Sequence, residues 1–321
     1  MKTQKITTDI NLVINSLKIG KLVAIPTETV YGLAGNALNE VALKQIFILK
    51  KRPLHNPLIL HISSYDKLQE ITKNIPLKAK KLAKKFWPGP LTLVLDKKNK
   101  ISNTISAGKS TIAVRVPNHP LTLKLLNSID FPLAAPSANP SGFISPTSAT
   151  HVSNFFKDSI DLILNGGSCS KGLESTIIGF ENQKPILYRH GAIPISDIEN
   201  CIGTLGRKIK NDLDPSSPGM LSRHYSPRTP IILVDSFSKY IHQNKHKKIG
   251  VLSFENKEAF SLAIKHEILS KSGNVIEAAK NFYSALHSLD SMNLDIIITT
   301  LLPERGLGKT INDRLKRAVA N

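Results

Sequence analysis

The sequence predicts a two-part α/β protein: a twisted mixed sheet with helices against it, then a smaller α/β unit. Three observations carry this. Strand-length apolar runs alternate unevenly with helix-length amphipathic stretches through the first 200 residues. The apolar periodicity fades between 203 and 229, where Asp214-Pro215-Ser216-Ser217-Pro218-Gly219 is linker chemistry. From Ile231 the alternation of strand and helix signals resumes. The expected division is therefore 1–202, a linker or lid over 203–229, and 230–321.

In chain order, a helical pattern over 8–19 ends at Gly20, and Leu22-Val23-Ala24-Ile25 reads as a buried strand stopped by Pro26. Residues 39–51 are amphipathic through Leu43, Ile46 and Phe47 and close before Pro53. A strand is predicted at 58–62, helices near 64–72 and 77–86, and a strand at 91–95 after the break Trp87-Pro88-Gly89-Pro90. Further strands are expected at 111–116, 132–136, 161–164, 175–180 and 185–189, with helices near 119–127 and 147–156. The second unit should hold strands at 230–234, 248–254 and 294–300 and helices at 256–267, 274–290 and 307–319.

Composition bounds the function. A chain of 321 residues with 41% hydrophobic content can bury two cores, and no run of 18 apolar residues exists to span a membrane. The start lacks a secretory segment, and Cys169 and Cys201 have no metal-site or disulfide-framework spacing, so a reducing cytoplasm is the expected location. The net charge of +19 favours a polyanionic partner, or reflects a general drift towards lysine. Residues 1–200 contain only three arginines: Arg52, Arg115 and Arg189. Arginine forks suit phosphate and carboxylate, which singles out each of them.

Polar stretches set after predicted strands or helices carry the chemistry. Pro26-Thr27-Glu28-Thr29 follows a buried strand, at the sheet edge where open α/β folds place ligands. Lys50 and Arg52 end a helix, with Asn56 in the next loop. If Ile112 and Val114 face the core, Thr111, Ala113 and Arg115 face the other way. Ser137 and Asn139 follow Leu133-Ala134-Ala135, and Ser145 precedes a helix opened by Pro146, whose free amides suit anions.

Blander readings stand beside these. His61 also reads as a core histidine, Lys50 and Arg52 as a charge pair on a helix C-terminus, and Ser137-Ala138-Asn139-Pro140 as a turn. Gly306-Leu307-Gly308-Lys309-Thr310 is not a phosphate-binding loop, because Pro303 stands where its first glycine belongs; Thr310 and Asp313 suit the first turn of the last helix instead. Lys78–Lys85 reads as the solvated face of an amphipathic helix anchored by Leu77, Leu82, Ala83 and Phe86.

As an ordered series the motifs resemble the YrdC-like family in its two-domain form, the threonylcarbamoyl-AMP synthases. The series comprises Pro26–Leu33, Lys50-x-Arg52, Asn56-Pro57-Leu58 with His61, Trp87–Thr92, Val114–Pro117, Ser137-Ala138-Asn139, Glu174–Ile177, Arg189-x-Gly191, Ser217–Met220 with His224-Tyr225, and Gly306–Leu315. Three departures occur: Gly35-Asn36-Ala37 in the first loop, Leu221-Ser222-Arg223 where a lysine and an aromatic are usual, and His190 where a proline is usual.

The resemblance implies a YrdC-like sheet with a concave basic cavity and a Rossmann-like C-terminal domain. It implies a nucleotidyltransferase condensing L-threonine, bicarbonate and ATP to threonylcarbamoyl-AMP and pyrophosphate, with Mg²⁺ accompanying ATP and its protein ligand unassigned. The product would feed the machinery that makes N6-threonylcarbamoyladenosine in tRNA. Thr29, His61, Arg115, Ala135 and Ser175 would hold threonine, with Arg115 on its carboxylate. Arg52, Asn56, Thr111, Ser137, Ser145, Arg189 and His224 would hold ATP. Lys50, Arg52 and Asn139 would serve catalysis near the phosphates, and Tyr225 would close with His224 as a lid. The competing reading is a tRNA- or double-stranded-RNA-binding module without catalysis, disfavoured by scarce arginine and no aromatic stacking motif; weak RNA binding could accompany the enzyme. A carbamoyl-transfer role as in hydrogenase maturation would need zinc modules that two isolated cysteines cannot supply.

Overall fold

The computed structural model of the chain describes residues 4–207, 224–255 and 260–319. These residues form two sheets. The strands of the larger are β1 (Lys5–Thr7), β2 (Val23–Ile25), β3 (Gly32–Asn36), β4 (Ile59–His61), β5 (Leu91–Asp96), β6 (Thr111–Arg115), β7 (Leu133–Ala134), β8 (Leu162–Leu164), β9 (Thr176–Glu181), β10 (Lys184–Arg189) and β11 (Gly206–Arg207). Their spatial order is β1-β8-β2-β3-β7-β4-β6-β5-β9-β10-β11. The sheet is mixed: β4/β6 and β5/β9 run parallel, whereas β5/β6 and β9/β10 run antiparallel. The smaller sheet holds β12 (Ile231–Leu233), β13 (Ile249–Ser253), β14 (Lys265–Ile268) and β15 (Ile296–Thr299), ordered β12-β15-β13-β14 and wholly parallel.

Alternation works as expected on β6. Ile112 and Val114 join the main core on one face, while Ala113 packs with Ile59, Val94 and Ile177 on the other. Helix Glu40–Lys50 forms because Asn39 caps its first amides and Leu43, Ile46 and Phe47 repeat along one buried side. It stops where Lys51 turns left-handed, at φ 50°, so that the Arg52 amide bonds back to Phe47. Lys50 and Arg52 are thereby both buried rather than splayed into solvent. A third cluster joins the two domains: Val30, Ile144, Leu173 and Ala192 pack with Phe282, Tyr283 and Leu286 of helix Val275–Asp290.

Several expectations need correction. Gly35 and Asn36, placed in the first loop, belong to β3, a strand not expected from sequence, and Gly206–Arg207, inside the expected linker, pairs with β10. The helix expected over 256–267 is replaced at its end by β14, which pairs with β13 from Lys265 to Ile268; 256–259 lie outside the described residues. Here sheet pairing overrides a helical pattern. The helix after Ser145 starts at Ala149 with Ser148 as its cap, so Pro146 is not in its first turn. Leu77 is 69% exposed and anchors nothing, whereas Ala79, Leu82 and Ala83 are buried beneath the lysine face. The motifs at 214–223 lie outside the described residues. Cys169 and Cys201 are free. Among the described residues no helix is long and apolar enough to cross a membrane.

Candidate active site

β4 and β6 are parallel neighbours in which His61 pairs in register with Arg115, so both side chains reach the same carboxyl edge. There a cavity of about 550 Å³, measured with its open mouth, is lined by Thr27, Thr29, Val30, Tyr31, Gly32, Arg52, Ile59, His61, Arg115, Ala135, Pro136, Ser137, Glu174, Ser175, Arg189, His224 and Tyr225. Of the residues singled out from sequence, it brings together Thr29, Arg52, His61, Arg115, Ala135, Ser137, Ser175, Arg189, His224 and Tyr225. Lys50, Asn56, Asn139 and Ser145 do not line it but are bonded to segments that do. Thr111 stands apart, partly exposed at the start of β6.

The Thr27–Thr29 turn is organised by hydroxyls. Thr27 Oγ1 donates its one proton to the Val30 carbonyl at 2.6 Å, so Thr29 Oγ1, 2.7 Å away, must donate to Thr27. That leaves the Thr29 oxygen to accept from Arg115 Nη1 at 2.9 Å. Arg115 also donates through Nε to the Gly89 carbonyl at 3.1 Å, and its Nη2 forms a buried ion pair with Glu28 Oε1 at 2.7 Å. The lone, anion-seeking Arg115 of the sequence reading is thus already half neutralised. Glu28 is held in turn by the Asn118 amide at 3.0 Å.

On the opposite wall, a bulge in β10 between Leu187 and Arg189 turns the arginine towards the residue preceding β9. Arg189 Nη2 donates to the Ser175 carbonyl at 2.8 Å and its hydroxyl at 3.0 Å, and Ser175 Oγ lies 2.7 Å from Thr92 Oγ1. Gly191 is required here: a Cβ would sit 2.2 Å from the Thr176 amide. Arg52 is braced by Asn56 Oδ1 and the Pro57 carbonyl, both at 2.7 Å. Lys50 Nζ donates to the Ser137 carbonyl at 2.6 Å and to that of Asn139, tying down the 137–139 segment.

Among the described residues, six basic side chains, Lys50, Arg52, Arg115, Arg189, Arg314 and Arg317, are buried in and around this cavity, with three carboxylates, Glu28, Glu174 and Asp313, beside them. Burial, then Arg52, lowers the Lys50 ammonium well below its ordinary range; burial, then Arg189, lowers Arg52. Burial, then Arg115, pushes His61 down to about 3, and burial with Arg317 and Arg52 holds His224 well below its usual value, so both imidazoles are neutral. Burial raises the Glu174 carboxyl, but Arg314, Arg189 and bonds from Ser145 and Tyr283 outweigh it and hold the group below the ordinary range. His61 Nδ1, His224 Nδ1, Tyr225 Oη, Asn56 Nδ2 and Asn139 Oδ1 are buried without a hydrogen-bond partner among the described residues. A surplus of basic groups with polar atoms to spare is a site built for anions.

Glu28 and Glu174 were assigned no role from sequence. Each sits inside a singled-out motif, Glu28 between Thr27 and Thr29 and Glu174 just before Ser175 and Thr176, and a carboxylate beside hydroxyls in an otherwise apolar neighbourhood is the signal available. The first turn of helix Gly308–Ala318 differs from expectation: Thr310 donates to the Gly191 carbonyl at 3.1 Å, and Asp313 lies beyond that turn, beside Arg314 and Arg317.

A family model described as telomere recombination, named for Sua5, YciO and YrdC, matches residues 15–191. One described as the C-terminal domain of threonylcarbamoyl-AMP synthase matches 193–320. The threonylcarbamoyl-AMP synthase of Pyrococcus abyssi is 41% identical over 319 residues, covering 94% of this chain and 91% of its own length. That of Bacillus subtilis is 39% identical over 313 residues, covering 94% and 90%. The crystal structure of P. abyssi Sua5 complexed with L-threonine matches with a TM-score of 0.90 at 40% identity, over 97% of this chain and 94% of that one. By both halves and over nearly its whole length, the chain belongs to the threonylcarbamoyl-AMP synthase family.

Proposed function

We propose that the protein condenses L-threonine, bicarbonate and ATP to L-threonylcarbamoyl-AMP and pyrophosphate, and that the product serves N6-threonylcarbamoyladenosine formation in tRNA in the cytoplasm. The observation that carries the reading is the surplus of buried basic groups around one cavity with two dissimilar walls. The wall of Thr29, His61, Arg115 and Ala135 suits a small amino acid: a guanidinium for the carboxylate, hydroxyls and a neutral imidazole for polar groups, and Ile59 for a methyl. The wall of Arg52, Ser137, Ser175 and Arg189 suits a polyphosphate. Ser175, assigned to threonine by resemblance, is bonded to Arg189 and so borders both.

In this reaction the threonine amine loses a proton and attacks bicarbonate, water leaves, and a carbamate forms. A carbamate oxygen then attacks the α-phosphorus and pyrophosphate departs with the bonding electrons. Every species carries negative charge, so positioning and charge neutralisation supply most of the acceleration. MgATP enters as substrate, its Mg²⁺ held by phosphate oxygens and water. Lys50 and Asn139 act through the 137–139 backbone, and His224 and Tyr225 cover the phosphates. The test is pyrophosphate release with each substrate omitted in turn. Release that requires all three supports the reading; release that persists without threonine defeats it.

A further inference from the structure

Helix Gly308–Ala318 contributes no residue to the cavity lining, yet it carries the bulkiest fully buried side chain among the described residues, Arg314. Every edge of its guanidinium is engaged. Nε donates to Glu174 Oε2 at 3.0 Å, Nη2 to the His190 carbonyl at 2.7 Å, and Nη1 to Asp313 Oδ2 at 2.5 Å. Its face lies 4.3 Å from the ring centroid of Tyr225, with Arg317 4.7 Å from the same ring. Glu174 and Tyr225 both line the cavity, from segments about 50 residues apart, and His190 adjoins the cavity residue Arg189.

We infer that Arg314 is the positioning residue through which the C-terminal domain sets the Arg189 end of the cavity. This deepens the ATP-dependent reading and rests on it. Only a planar fork can meet a carboxylate, a carbonyl and an aromatic face at once; an ammonium has neither the plane nor the spread of donors. Tyr225 needs such a grip, because its φ of 67° is one that non-glycine residues rarely adopt and its hydroxyl has no partner among the described residues. Glu174 needs it too, being 5% exposed beside Ser175 and bonded also by Ser145 Oγ and Tyr283 Oη, both at 2.7 Å. One side chain from the last helix thus fixes a wall residue, the cover residue and the backbone next to Arg189.

A simple clasp between domains would show similar burial, so the test separates the two. Steady-state pyrophosphate release is measured for Arg314→Lys with ATP and threonine varied separately. Positioning predicts an ATP KM raised at least about tenfold and a threonine KM within about twofold of the parent. Tyr225→Leu should raise the ATP KM likewise, and the double variant should be no worse than the poorer single. A lower kcat with both KM values unchanged, or fully additive effects, overturns the inference. Denaturant unfolding gives an arm free of activity: Arg314→Met should be less stable than Arg314→Met with Glu174→Gln, because the second change removes a stranded carboxylate. Additive losses there also overturn it. If the parent releases no pyrophosphate from the three substrates, the functional reading fails and the positioning role falls with it, while the unfolding series still decides whether Arg314 holds the Glu174 carboxylate.

Discussion

The Glu28–Arg115 pair offers a sharp quantitative test of how the Arg115 wall of the cavity is built. Both side chains are about 95% buried and meet at 2.7 Å. With charge centres about 4 Å apart and an effective dielectric near 20, the attraction is about 4 kcal/mol. Glu28→Gln removes the charge while keeping the shape, which strands Arg115 in the interior. Removing one partner of a buried pair costs roughly 3–5 kcal/mol, whereas Arg115→Met added to Glu28→Gln should recover much of that loss. Trp87 is the chain's one tryptophan and stands two residues from Gly89, whose carbonyl Arg115 holds, so its fluorescence reports on this wall. With a urea slope of about 3 kcal/mol per molar, the single variant should unfold about 1 M earlier or more. The double-mutant cycle should return a coupling of several kcal/mol. If threonine binds as proposed, it should narrow the gap at saturating concentration, its carboxylate supplying Arg115 with a new counter-charge. Additive losses, each under about 1 kcal/mol, would refute a pre-paired arginine.

Other consequences are as direct. His151 and His287 stack across the domain interface at 3.9 Å, with Phe155 edge-on to His287 and Arg228 nearby; burial lowers them to about 4 and about 3. Both are neutral when folded, so the unfolded chain takes up their protons as pH falls below about 6.5. Stability should then drop by on the order of 1.4 kcal/mol per pH unit for each imidazole down towards pH 4; the difference in unfolding midpoint from a His151→Gln/His287→Gln variant, followed from pH 7.5 to 5, should change in that sense. Lys50→Met removes both ties to the 137–139 backbone and should lower kcat/KM for pyrophosphate release by about 100-fold or more, measurable against unchanged circular dichroism. Gly191→Ala drives a methyl to within 2.3 Å of the Ser175 carbonyl carbon and should abolish ATP binding by calorimetry, while Gly206→Ala, with its nearest neighbour at 3.5 Å, should retain it.

Much of the fold was legible because it is written in local periodicity. The buried strands ending at Ile25, His61 and Arg115, and the helices at 40–50, 77–86 and 275–290, follow from apolar spacing and caps. What escaped was set by distant neighbours. β3 reads Gly-Leu-Ala-Gly-Asn, with no β-branched residue to announce it, and is a strand because β2 and β7 flank it. At Gly35 a Cβ would crowd the Leu22 Cδ2 methyl at 2.8 Å, so a larger residue there would require Leu22 to shift. β14 is an edge strand with a single partner, which local patterning underdetermines. At the site, the motifs located the arginines but not what occupies them. Glu174 and Arg314 meet across 140 residues, a pairing that no local spacing encodes.

The placement of the carboxylates decides which arginines are free for substrate. Glu28 takes one edge of Arg115, so a second anion there meets a partly satisfied guanidinium, which suits a ligand that must enter and leave. Glu174 spends Oε2 on Arg314 and Oε1 on two hydroxyls, so although it lines the cavity both of its oxygens are already engaged. Among the described residues Arg52 is braced by an amide oxygen and carbonyls and by no carboxylate, and burial with Arg189 lowers its hold on its proton. Two buried guanidiniums held near each other repel. A triphosphate relieves that repulsion, whereas a neutral ligand leaves it in place. The C-terminal domain enters this balance through Arg314 and Tyr283, which engage the two oxygens of Glu174 at 3.0 and 2.7 Å and so tie the charge of a cavity carboxylate to that domain.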